Sequence, residues 1–336
     1  MIRRVLALAA AVAVSGAITM AQVGMAQAEK LMLGRTFGVS QLPGLIAETK
    51  GFFKEQGLDV EYKSVSRGNV ALGAMASGTL HFAESAHAPF LAAVSRDAPF
   101  VGVGIACRGF QGNLVAAPKN AGLKSLADFK GKRVGIQVGT GVHTVILMLL
   151  ERQGLNADDF QFTNLRVVDM PAAMAAPNNS FDAVIGWNPF MQRIVQGGHG
   201  KLIVPAKTFE DQAKITYPFL ISTTKTYLKE HPDVVQKVIN AYAKGHKYIR
   251  DHKEEAVKIY TADIQKRGGK LTEDMIRLML FDTDRYGGAA LSEADMADLT
   301  ATRDFLFKAG KLKAKPDFAN VINRSFGSKG EKALTN

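Results

Sequence analysis

The stretch Arg133–Leu155, RVGIQVGTGVHTVILMLLERQGL, holds the residue types and spacing best suited to binding chemistry. Its Gly139-Thr140-Gly141 turn separates an apolar run, Val134–Val138, from a segment with apolar residues at 142, 145, 146, 149 and 150, one face of a helix. Thr140 is placed to cap that helix, and the glycines let a ligand come close to the backbone. The first N–H groups of a helix lack intrahelical acceptors and carry partial positive charge, so the turn suits an anion. Thr140 and Gly141 are therefore the first candidate contacts. The turn has no lysine for a P-loop and misses the G-x-G-x-x-G spacing, so nucleotide chemistry is not expected. Ser85 can offer a hydroxyl, His87 and His143 ring nitrogens, Gln41 an amide, and the single Trp187 an apolar face. Arg108 reads as a surface side chain.

Catalysis finds little support in the sequence. The run HKYIRDH at 246–252 is not H-E-x-x-H, and no G-x-S-x-G elbow occurs. The single cysteine, Cys107 in GIACRGF, reads as a small buried residue. It has no disulfide partner, and no Cys/His cluster suits a metal. The expectation is a binding protein with no catalytic residue, no metal and no cofactor.

The elements that must position these residues alternate. Leu31–Phe37, Asp59–Lys63, Leu80–Ala83 and Phe100–Ala106 read as strands, with helices over Leu45–Lys50, Val70–Ser77 and from Pro89 through Ala93. This βα rhythm predicts a parallel sheet with helices on its faces. Pro118–Lys132 interrupts it. A second series follows, with strands at Val134–Val138, Leu165–Asp169, Phe181–Gly186 and Leu202–Ala206, and helices at Pro171–Ala176 and Phe190–Gln196. From Pro232 the pattern becomes helical: Val234–Arg250, Lys253–Gln265, Glu273–Phe281 and Glu293–Ala309, then a polar tail after Asn323 that is expected to pack loosely. Ligands of open α/β sheets sit at the carboxyl ends of strands. The loops Gly38–Pro43, Glu84–Pro89 and Gly139–His143 and the segment Trp187-Asn188-Pro189 fall at such ends.

The first residues predict export. Met1–Arg4 is basic, Val5–Val14 is an apolar core of signal-peptide length, and Ala26-Gln27-Ala28 fits the small-x-small rule, placing a cut after Ala28 and a signal peptide over 1–28. Ser15, Gly16 and Thr19 interrupt the run, which argues against a membrane anchor. No cysteine near the cut allows lipoprotein attachment. The 336 residues carry 47% hydrophobic residues and a formal net charge of +11. The excess positive charge is scattered and lacks interleaved aromatics, so small anions are expected as partners and nucleic acid is not.

Several segments resemble the periplasmic substrate-binding proteins for alkanesulfonates, taurine and nitrate, within a superfamily that includes thiamine-precursor binders. They are FGVSQLPGLIAETKGFFKEQGLDVEY, SGTLHFAESAHAPFLAA, LKSLADFKGKRVGIQVGTGVHTVILMLLERQGLNADDF, FDAVIGWNPF and YPFLISTTKTYLKEHPDVVQKVINAY, in the family's order. The resemblance implies a type II periplasmic-binding-protein fold, a two-lobe α/β Venus flytrap with additional C-terminal helices. It further implies a monomer in the periplasm that delivers a small, anionic solute to an ABC permease. Family binding positions carry over onto Gln41, Ser85, His87, Thr140, Gly141, His143 and Trp187. The sequence departs from the family at Ala86-His87, where glycine and small hydroxyl residues are frequent. Two readings stand beside transport: a periplasmic sensor subunit, and an enzyme like the thiamine-pyrimidine synthases, whose cysteine-rich motif is absent here. The expected lobes are 30–115 with 216–336, and 116–215. Glu84, the one acid beside the turns, is expected to point away from a ligand.

Overall fold

The computed structural model describes residues 30–36 and 38–335. The signal-peptide assignment over 1–28 lies outside them. Among the described residues ten strands form two sheets: β1 (Leu31–Thr36), β2 (Val60–Val65), β3 (Phe82–Ala86), β4 (Phe100–Cys107), β5 (Asn113–Ala116), β6 (Arg133–Ile136), β7 (Gln161–Asn164), β8 (Ala183–Gly186), β9 (Lys201–Val204) and β10 (Phe219–Thr224). The first sheet has the order β2-β1-β3-β10-β4, the second β7-β6-β8-β5-β9. β3 and β4 are buried along their whole length, as strands covered on both faces must be.

The sheets are mixed, which corrects the expectation of a parallel sheet. β10 lies antiparallel between β3 and β4, with Phe219 opposite both Ala86 and Cys107. β5 lies antiparallel between β8 and β9. Each is the first strand after the chain passes from one sheet to the other, so each enters its new sheet against the local direction. The pairing of β5 also puts the first passage within residues 108–112, upstream of the 115/116 boundary expected from the sequence.

The two passages lie side by side. Gly109 N–H donates to the Thr216 carbonyl at 2.8 Å. Gly109 has φ +85, and a Cβ there would stand 2.5 Å from Thr283 Oγ1 and 2.7 Å from Arg285 Nη1, so only glycine fits. The buried Arg285 donates to the Gly109 and Phe110 carbonyls and pairs with Asp282. Arg108 is not a surface side chain: its Nε and Nη2 clamp Asp295 at 2.7–3.1 Å, and its Nη1 donates to the Gly288 carbonyl. The helical C-terminal region thus fastens the crossing from outside.

Two further corrections concern segment type. The apolar run Leu165–Asp169 is not a strand. β7 precedes it, and a short 3-10 turn, Val167–Asp169, buries Val167 in the core. β7 is an edge strand with no buried residue, so it shows no apolar signature. The tail after Asn323 is not loose. Ser325–Lys332 is a helix that packs on the helix Pro232–Asp251, with Gly330 against Ile239 and Ala243, and buries Gly327 against Ala289 and Ala290. Among the described residues no helix is long and apolar enough to cross a membrane.

Candidate functional site

A cavity of about 40 Å³ lies where the carboxyl ends of the two sheets face each other. From the first sheet come Thr36 at the end of β1, Ala86 at the end of β3 and Phe219 at the start of β10. From the second come the 139–142 turn after β6 and Trp187 after β8. One water needs roughly 10–15 Å³ of such space, so the cavity takes a head group of a few heavy atoms.

Two helices begin at this cavity. In the first, Gly141–Arg152, Thr140 is the N-cap: its Oγ1 accepts from His143 N–H at 3.2 Å and donates to the Gln137 carbonyl at 2.8 Å. That leaves the N–H groups of Gly141 and Val142, which an α-helix cannot satisfy internally, on the cavity wall. A Cβ on Gly141 would stand 2.3 Å from Tyr217 Oη and 2.8 Å from Ala86 Cβ, so glycine is what lets this helix start approach the crossing segment. The second helix, Gly68–Ala76, presents Gly68 and Asn69 to the same space. A Cβ on Gly68 would stand 2.7 Å from Ser85 Cβ. Both dipoles therefore point positive ends inward.

Arg67, the N-cap residue of Gly68–Ala76, lines the cavity as well. Among the described residues its side chain has no ion-pair or hydrogen-bond partner. No Asp or Glu lines the cavity. A cation without a counter-ion among the described residues and two helix starts, walled by Trp187, Tyr217 and Phe219, give the cavity a positive, partly apolar lining. Sequence reading passed over Arg67. Its only signal is an Arg-Gly pair opening a helical segment, which matches no motif.

The residues singled out in the sequence separate into groups. Thr140, Gly141 and Trp187 line the cavity. Ser85 lies just behind Gly68, fully buried, with a hydroxyl that has no hydrogen-bond partner. His143 lines a neighbouring groove, where burial and Lys311 hold its imidazole below the ordinary range. His87 is turned elsewhere: its ring nitrogens meet the Pro218 carbonyl at 3.2 Å and Thr302 Oγ1 at 2.9 Å. Burial lowers the His87 pKa, although Asp298 stands 3.8 Å away. Neither histidine therefore fits the part of a charged partner at neutral pH. Gln41 is also absent from the wall and donates to Asp263 in the helix Lys253–Lys266 at 3.1 Å. Glu84 accepts from Tyr242 Oη at 2.5 Å, and burial pushes its carboxyl up to about 7. Cys107 is buried, and that burial pushes its thiol up to about 12. Among the described residues no group of three or more His, Cys, Asp or Glu is placed to hold a metal ion.

The family model described as NMT1/THI5 like matches residues 40–256, more than half of the chain. A Bacillus subtilis (strain 168) protein, named provisionally for aliphatic-sulfonate binding, is 24% identical over 288 residues, covering 84% of this chain and 83% of its own. Among solved structures, the alkanesulfonate-binding protein SsuA from Xanthomonas axonopodis pv. citri, bound to MOPS, superposes with a TM-score of 0.74 at 19% identity, over 88% of this chain and 98% of that one. The periplasmic nitrate-binding protein NrtA from Synechocystis PCC 6803 gives 0.71 at 15% identity, over 92% and 89%. These two likenesses are likenesses of fold, that of periplasmic binding proteins.

Proposed function

The chain belongs to the NMT1/THI5 like family, and from that premise we propose that it is the solute-binding component of an ABC importer, exported after cleavage at Ala28, that captures a small anion between two lobes. In this reading each lobe holds one of the two sheets, 30–112 with 216–336 and 113–215, the first boundary moved from the expected 115/116 to the passage ahead of β5. One observation supports the anionic ligand above the rest. Arg67, without a partner among the described residues, meets the open N–H groups of Gly68–Ala76 and Gly141–Arg152 in a cavity that no carboxylate of those residues lines. Arg67 is partly buried, and a bound oxyanion would give it a charge-assisted hydrogen-bond partner. Relatives named for sulfonate and nitrate binding take solutes of this kind. Thr140, Gly141 and Trp187 complete the proposed site, with Ser85 close behind Gly68. Gln41, His87 and His143 act at one remove, through packing or the adjoining groove.

The test is calorimetry of the mature protein with a panel of alkanesulfonates, taurine, nitrate and sulfate, beside a Thr140→Phe variant. A phenyl ring at 140 fills a cavity of head-group size while leaving the sheet intact. The expected outcome is binding by wild type and none by the variant, with the same circular dichroism. Wild-type affinity in a folded Thr140→Phe protein would take the turn out of the site.

A further inference from the structure

The cavity does not end blindly. Asn69, Pro89 and Gly139 border both it and a groove of about 590 Å³ that runs outward from it. A solute larger than a head group has this adjoining groove to extend into, because the cavity has room for only a few heavy atoms. The groove's near walls are apolar: Leu72 and Ala76 on the helix Gly68–Ala76, Ala88 and Ala92 on the helix His87–Val94, and Leu147 on the helix Gly141–Arg152. Leu306, near the end of the helix Glu293–Lys308, adds to the lining. Two cationic side chains, Arg96 and Lys311, also line it, beside the His143 imidazole. Arg96 donates only to the Ala92 carbonyl, and Lys311 has no partner among the described residues. No Asp or Glu lines the groove.

We propose that the solute is an elongated dianion, with one oxyanion in the Arg67 cavity, an apolar chain along Leu72 and Leu147, and a second anionic end met by Arg96 and Lys311. This rests on the reading that the cavity captures an anion, and adds the length and second charge of the ligand. An unpartnered cation at the cavity, joined to a groove that carries both apolar walls and two further cations, is the complement of such a molecule. A short inorganic anion would use the inner cavity alone and leave the outer cations without a role.

The experiment compares four probes by calorimetry: sulfate, methanesulfonate, hexanesulfonate and 6-sulfohexanoate. Wild type is expected to bind hexanesulfonate at least tenfold more tightly than methanesulfonate, from burial of the added methylenes. It is expected to prefer 6-sulfohexanoate over hexanesulfonate by a further five- to tenfold, roughly what two exposed cations supply. In Lys311→Ala that second preference should fall toward unity. In Leu147→Asp, a charge on a half-buried helix position, the preference for hexanesulfonate over methanesulfonate should collapse. Circular dichroism of both variants checks the fold, and because each readout is a ratio of affinities, a general loss of folded protein does not mimic it. Equal affinity for methanesulfonate and hexanesulfonate overturns the apolar channel. A dianion preference that survives Lys311→Ala in a paired Arg96→Ala background overturns the second anionic end. Failure of all four probes to bind overturns the anion-capture reading beneath both.

Discussion

Arg67 and Glu84 show how differently two charged side chains can be used within one sheet layer. Arg67 opens on the cavity with no hydrogen-bond or ion-pair partner among the described residues, so removing it breaks no bond to them. Arg67→Ala is expected to weaken anion affinity tenfold to a hundredfold, the worth of about 1.5–3 kcal/mol for a hydrogen bond to a charged group. Its melting temperature should stay within a degree or two of wild type without ligand, a pairing that calorimetry and thermal denaturation can check. Glu84 is buried beside Tyr242, whose hydroxyl also meets Tyr62, while Arg35 stands over the Tyr62 ring and pairs with Glu48. Burial raises the Glu84 pKa to about 7 from an ordinary 4.5. The folded state therefore holds this proton more firmly than the unfolded chain. Stability from this group is full below pH 4.5 and is lost as pH rises from there to about 7, above which the loss is constant. His246 works the other way, since burial lowers its pKa to about 3 and costs stability as pH falls below 6.5. Comparison with Glu84→Gln separates the two: the variant should gain on wild type as pH rises from 4.5 to 7, by up to about 3 kcal/mol for a shift of this size. Urea unfolding at several pH values gives the answer, and parallel curves for the two proteins would contradict it.

At the scale of elements, the site depends on helix starts brought close by missing side chains. Gly141 is where a helix N-terminus, β3 and the returning crossing segment meet within a carbon's width. Gly141→Ala should destabilise the protein by more than about 1 kcal/mol, as overpacking of a buried contact does. The nearest atom to the new methyl is Tyr217 Oη. Tyr217→Phe added to Gly141→Ala should therefore recover part of the loss, giving a favourable coupling in a double-mutant cycle. Additive losses would mean that the backbone of β3, and not Tyr217, sets the limit. The same logic explains why Thr140 caps so well. Its hydroxyl is fully used between Gln137 and His143, fixing the turn so that the next two N–H groups aim at the cavity.

For the whole molecule, two strand passages and the C-terminal helices decide how the sheets can move. Arg108 and Arg285 tie residues 108–110 to the 282–295 region, and Gly109 ties the first passage to the second. Motion between the proposed lobes must then concentrate in these two passages, a hinge rather than a shear. Small-angle scattering is expected to show a smaller radius of gyration at saturating ligand than without it. Gly109→Ala, which puts a Cβ into Arg285 at a positive φ, should lower the melting temperature and blunt that change together.

The sequence alone determined what is written in local pattern. Apolar periodicity marked the helix Phe190–Gln196 and the helix Glu273–Phe281 to the residue, and the Gly139-Thr140-Gly141 turn announced a capped helix start. Resemblance of ordered segments pointed to the fold and family that the comparisons support. Tertiary structure decided what depends on distant partners. Antiparallel β5 and β10 could not be placed from local pattern, since strand direction is set by where the chain re-enters a sheet. A histidine in a promising loop looks the same in sequence whether it faces a ligand or, like His87, bonds Thr302 more than two hundred residues away. Arg67 gained its place at the site only when the carboxyl ends of two sheets met around it and left it without a counter-charge, because an unpaired charge is a property of its surroundings.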